Sequence, residues 1–138
     1  MKVYSRPRES EILNCILEGL NKLPEGSFDR VNNLPAWNQK TNSYNRPSRY
    51  APKGMSDIIG CYKGHYVAIE VKIPVEYNWV QQFYKRVKHQ IDSYQPQTDK
   101  EIHALHQIKY IRNKISRGGI GFFAYSLENV LEQLKKVQ

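Results

Sequence analysis

Asp57, Glu70 and Lys72 are the side chains of this sequence whose types and spacing could do chemistry together. Two carboxylates can hold a hard divalent cation, because Mg²⁺ accepts one or two carboxylates alongside backbone oxygens and water. An amine beside them can orient a nucleophilic water or offset negative charge that builds up in a transition state. The acids are far apart along the chain, so local structure has to bring them together.

The stretch that does so runs from Lys53 to Lys72, K-G-M-S-D-I-I-G-C-Y-K-G-H-Y-V-A-I-E-V-K. It reads as two strands joined by a tight turn at Lys63-Gly64, where Gly supplies the positive φ that a two-residue hairpin loop requires. Counting outward, Tyr62 faces His65, Ile59 faces Ala68, Ile58 faces Ile69 and Asp57 falls opposite Glu70. Residues directly opposite have Cβ atoms roughly 4.5–5.5 Å apart on one face. Lys72 returns to that face because strand side chains alternate. Ile58, Val67, Ile69, Val71 and Ile73 occupy the other face as a core-facing set. Facing like charges destabilise a sheet unless something positive lies between them. A divalent cation is one solution; an ordinary salt bridge of two strand-end acids to Lys72 is the other.

At 138 residues the chain is expected to form a single domain over 1–138 with a core of its own. Its 21 Lys and Arg against 13 Asp and Glu leave a net charge of +8. That balance favours a polyanionic partner, nucleic acid first, although a merely soluble basic protein shares it. Cys15 and Cys61 lack metal-ligand spacing and read as free thiols in a reducing compartment. No signal peptide, transmembrane run or repeat is visible, so no membrane partner and a cytoplasmic location are expected.

Residues near 8–22 read as a first helix, with Ile12, Leu13, Ile16, Leu17 and Leu20 as its apolar stripe. Glu9 lies near the line of that stripe, either as a solvated first-turn acid or as one aimed inward at a site, and Glu11 is the alternative. Phe28 to Asn33 reads as a short strand. A basic loop over about 34–53 follows, and from Arg30 to Lys53 there are five basic residues (Arg30, Lys40, Arg46, Arg49, Lys53) and no acid. Trp37, Tyr44 and Tyr50 are interleaved, a composition suited to phosphate contacts and base stacking, or to a solvated loop. Pro74 is expected to end the second strand. Residues 79–93 predict a helix with Trp79, Phe83, Val87 and Ile91 spaced by four and Lys85, Arg86, Lys88 and His89 outward. That outer face is either a phosphate-binding one or a solvated one. A further helix is predicted over about 99–117, with Ile102, Leu105, Ile108, Ile111 and Ile115 inward. Gly118-Gly119, an apolar run Ile120–Tyr125 and a helix capped by Ser126 complete the chain.

Gly54-Met55-Ser56-Asp57 followed by Glu70-Val71-Lys72 resembles the PD-(D/E)XK nuclease superfamily, and within it the VRR-NUC (virus-type replication-repair nuclease) group. Ser56 stands where the name-giving proline would be. The resemblance covers about residues 9–134, through Glu9, Asp57, Glu70-Val71-Lys72, Gln107 and Gly118-Gly119 in that order.

The resemblance implies an α/β, restriction-endonuclease-like core with a mixed central β-sheet flanked by helices. It implies a Mg²⁺- or Mn²⁺-dependent endodeoxyribonuclease, with Asp57, Glu70, the Val71 carbonyl and Glu9 as metal ligands. Lys72 would act on the attacking water, and Gln107 would position the centre or the substrate. Arg30 and Asn33 would lie near DNA, joined by Arg46, Arg49, Lys53, Lys85, Arg86 and Lys88 as candidate DNA contacts. Relatives of this size imply a homodimer acting on branched DNA such as a four-way junction, encoded by phage or bacteria. The 34 residues between Lys72 and Gln107 exceed what that family needs, so the segment about 75–100 is expected to be a lengthened helical element.

Overall fold

A computed structural model of the chain describes residues 8–31, 37–44 and 53–137. The first helix, α1, spans Glu9–Leu20, and its apolar stripe buries Ile12, Leu13, Ile16 and Leu20. Strand β1, Gly26–Arg30, pairs antiparallel with β4, Ile58–Tyr62. Between them β2 (Trp37–Asn38) and β3 (Ser43–Tyr44) form a small separate hairpin inside the segment expected to be a loop. Asn42 turns at positive φ just before β3, as Asn tolerates, and this local turn chemistry closes the ribbon.

Strand β5, His65–Val71, pairs with β4 in the register counted from the sequence, Tyr62↔His65 through Ile58↔Ile69. Both turn residues have positive φ, 49° at Lys63 and 82° at Gly64, so the loop is of the primed type whose twist matches the strands. On β5, Val67, Ile69 and Val71 are fully buried against α1 and the last helix, α4 (Leu127–Lys135). Ala68 and Glu70 point to the other face and are buried there too.

The chain then departs from expectation. Pro74 does not merely end the strand: it opens α2, Pro74–Val87, which begins five residues before the predicted 79. Pro at the first helical position lacks only an N–H that would have no partner there, and its fixed φ suits the helix. After Val87 the chain tightens into a 3₁₀ turn, Lys88–Gln90, that still delivers Ile91 to the core. Helix α3, Asp99–Ser116, is capped by Thr98, whose hydroxyl accepts the Glu101 N–H at 3.1 Å. Leu105, Ile108 and Ile111 of α3 are buried, whereas Ile102 and Ile115 are 40% and 50% exposed, against expectation. Glu101 and Gln107 turn inward instead, each held by specific bonds. Ile115 lies in the last turn, beside an apolar groove of about 240 Å³ that also touches Phe122.

Strand β6, Ile120–Ala124, pairs parallel with β5, as the helical crossover allows. It forms an edge of the sheet and is half-buried except at Ala124. Ser126 caps α4 by accepting the Asn129 N–H at 3.0 Å. The described residues thus build a mixed four-stranded sheet, order β1-β4-β5-β6, with α1 and α4 on one face and α3, backed by α2, on the other. Among them no helix is long and apolar enough to cross a membrane. Cys15 and Cys61 are free and exposed.

Candidate active site

The hairpin places Asp57 one residue before β4 and Glu70 one residue before the end of β5. Asp57 is held by both neighbouring strands. Its Oδ2 accepts the Val71 N–H at 2.8 Å, and its carbonyl accepts the Val31 N–H at 2.8 Å. Val71, whose carbonyl the resemblance assigns to a metal, also uses its N–H to orient Asp57.

Glu70 is 3% exposed beneath α3. The Gln107 amide nitrogen donates to Glu70 Oε1 at 2.8 Å, and Oε2 is buried with no donor among the described residues. Burial pushes the Glu70 carboxyl far above the usual carboxylate range; the charge of Asp57 and a side-chain hydrogen bond to it push the same way. Lys72 pulls it down, and Glu9 adds a smaller upward push. Two carboxyl groups can hydrogen-bond only when one holds a proton. The pair therefore needs a proton or a cation between them.

Glu9 retains solvent access in the first turn of α1, yet its pKa is raised by crowding first and then by Asp57 and Glu76, with Lys72 opposing. Glu11 is used differently: its Oε2 accepts the Arg8 N–H at 3.1 Å and closes the start of the helix. Glu9 is thus the helix-one acid that feels the pair. Among the described residues, however, no three His, Cys, Asp or Glu side chains gather closely enough to enclose an ion.

That donor set suits a hard divalent cation held by two carboxylates and completed by water and backbone oxygen. Glu70 Oε2 is a buried acceptor with no donor among the described residues, a position that costs roughly 1–3 kcal/mol unless a proton or a cation fills it.

Lys72 borders an open cleft of about 500 Å³, together with Glu9, Trp79, His103 and Gln107. Among the described residues it makes no ion pair of its own. On the same wall Lys100 lies 3.1 Å from a Glu76 carboxylate oxygen and 4.3 Å from the centre of the Trp79 ring. Glu76, Trp79, Lys100 and His103 were not foreseen as site residues. The usable signal was Pro74: reading it as a helix start brings Glu76 and Trp79 into the first turns after Lys72. The facing of α3 had no such signal.

The candidate DNA contacts divide. Arg30 is exposed at the end of β1, opposite Ile58 and so one step from Asp57. Lys53 is exposed and close enough to α3 to act on His106. Lys85 and Lys88 are exposed toward the far end of α2, and Arg86 is engaged with Glu101 at 3.1 Å. None of these three borders the cleft. Asn33, Arg46 and Arg49 lie outside the described residues. The apolar groove under Ile115 carries no acid and is a separate feature.

No family model matches the chain, and neither curated proteins nor solved structures yielded a match.

Proposed function

We propose that this protein is a metal-dependent endodeoxyribonuclease that hydrolyses phosphodiester bonds. The observation that carries the reading is the Asp57–Glu70 pair, with Glu70 buried and its Oε2 without a donor among the described residues, and with Lys72 and an open cleft beside it. A purely structural salt bridge would have drawn Lys72 onto the acids, and no such ion pair forms among the described residues.

Asp57 and Glu70 would hold Mg²⁺ or Mn²⁺, with Glu9 contributing through water. The bound ion would lower the pKa of a water and offset charge on the phosphoryl oxygens. The chain's own residues do the rest. Val71 N–H fixes one Asp57 oxygen and leaves the other free of that bond. Gln107 holds Glu70 in its rotamer, a supporting contact of the kind that tunes metal ligands. Lys72, a compact cation on a flexible stem, orients the attacking water or neutralises charge as oxygen bonds to phosphorus and the leaving oxygen departs.

The mixed sheet with helices on both faces is compatible with a restriction-endonuclease-like core. Branched DNA as substrate, a homodimer making paired nicks on a two-fold junction, and a phage or bacterial protein working in the cytoplasm extend the same reading. The test is cleavage of labelled four-way junction, flap and linear duplex with Mg²⁺, Mn²⁺ or chelator, with Asp57→Ala alongside. Metal-dependent nicks confined to the junction support the full proposal. Cutting of all three substrates leaves a general nuclease, and binding without cutting in any metal overturns the enzyme.

A further inference from the structure

The cleft beside Lys72 is not itself basic. Glu9, Glu76 and Asp99 border it against Lys72 and Lys100, and Lys100 is already paired with Glu76. A site built around carboxylates repels a phosphate backbone, so attraction has to come from its rim. Sequence composition points to the outer face of α2, with Lys85, Arg86 and Lys88. The geometry argues otherwise. Lys85 lies about 16 Å along the helix axis from Pro74, at 1.5 Å per residue, and Arg86 is committed to Glu101.

The outer face of α3 answers better. Gln107 bonds Glu70, so its neighbours on the helix stand at the margin of the site. His103, one turn earlier, borders the cleft. His106 and Lys109 continue on the solvent side, and Lys53 joins them from the loop that leads to Asp57. That loop is seated closely: a Cβ on Gly54 would run into the His106 carbonyl and come within 2.6 Å of the Gln107 nitrogen. The His106 imidazole is held below its usual pKa by burial and then by Lys53, Lys109 and His103, with no carboxylate among the charges acting on it. Among the described residues neither Lys53 nor Lys109 forms an ion pair.

We infer that Lys53, His103, His106 and Lys109 form the surface that holds the phosphate backbone of DNA as it enters the cleft beside Lys72. The inference rests on the nuclease reading for its substrate, but its test does not depend on cleavage. Labelled duplex and four-way junction are titrated with full-length protein in chelator across about 50–200 mM salt, where each neutralised phosphate contributes a slope near −0.9 in log K against log salt. The double variant Lys53→Gln/Lys109→Gln changes only exposed side chains. It is expected to lose at least about tenfold in affinity and about two units of slope. Lys22→Gln/Lys135→Gln, on the opposite layer, is expected to keep both.

An unchanged slope in the Lys53/Lys109 variant, or a loss that falls on Lys85→Gln/Lys88→Gln instead, overturns the surface while leaving the active site standing. Wild-type protein that binds no DNA overturns it as well. Binding with the expected loss, by a protein that never cuts with Mg²⁺ or Mn²⁺, keeps the surface and removes the nuclease.

Discussion

The Gln107 amide nitrogen donates to Glu70 Oε1 at 2.8 Å, joining α3 to β5 across 37 positions of sequence. This bond covers one oxygen of a buried carboxylate and leaves the other without a donor among the described residues. Substituting Gln107→Leu keeps the volume roughly constant and removes the bond. Loss of a contact that holds a metal ligand typically costs 10–100-fold, so metal-dependent cleavage is expected to fall by about that factor while the fold persists. Full activity in Gln107→Leu would show that Glu70 needs no such support.

Asp57→Ala is expected to abolish cleavage and spare DNA binding. The same change removes the Asp57 charge that helps to raise the Glu70 carboxyl, so melting of the metal-free variant is expected to depend less on pH than that of the metal-free wild type. Retained nicking activity would remove Asp57 from the site. A matched pair of assays, nicking and thermal melting, reads both consequences.

Stability of the metal-free protein is expected to depend on pH with a definite sign. The Glu70 carboxyl is raised above its ordinary value of 4.5 in the folded state, by burial first and then by Asp57, and Glu9 is raised as well. The folded protein therefore holds protons that the unfolded chain has released. That contribution is fully present below about pH 4.5 and is lost as pH rises toward the folded value. A bound Mg²⁺ or Mn²⁺ would replace the proton, so the metal-induced stabilisation is expected to be larger at about pH 8 than at about pH 5, reaching about 2.7 kcal/mol at a hundred times Kd. Glu70→Gln is expected to flatten both dependences, and a metal effect that ignores pH in the wild type would count against an ion between these acids.

Gly54 and Gly64 both have positive φ, 75° and 82°. A Cβ at Gly64 meets nothing, whereas at Gly54 it meets the backbone of α3 at His106 and Gln107. Gly64→Ala is expected to cost about 1 kcal/mol, from backbone strain alone. Gly54→Ala is expected to cost more, in the range of about 1–3 kcal/mol or beyond, and to lower cleavage by shifting the Asp57 loop away from Gln107. Chemical denaturation of the two variants checks the order, and equal costs would mean the Gly54 contact is loose.

Much of this arrangement was legible in the chain by itself. Alternation over Ile58–Tyr62 and His65–Val71, with a turn at Lys63-Gly64, determined the register, because a one-residue slip would move every side chain of the core-facing set to the opposite face of the sheet. Register alone then set Asp57 beside Glu70. The stripe of α1 and the Ser126 cap were equally local signals. What tertiary structure decided is which helix faces those acids. The inward turn of Gln107 and the outward turn of Ile102 follow from packing and buried hydrogen bonds, which outweigh a periodicity counted along one helix. The cleft wall made by Glu76, Trp79, Lys100 and His103 joins two helices whose contact no sequence spacing encodes, since it exists only once α2 has packed against α3.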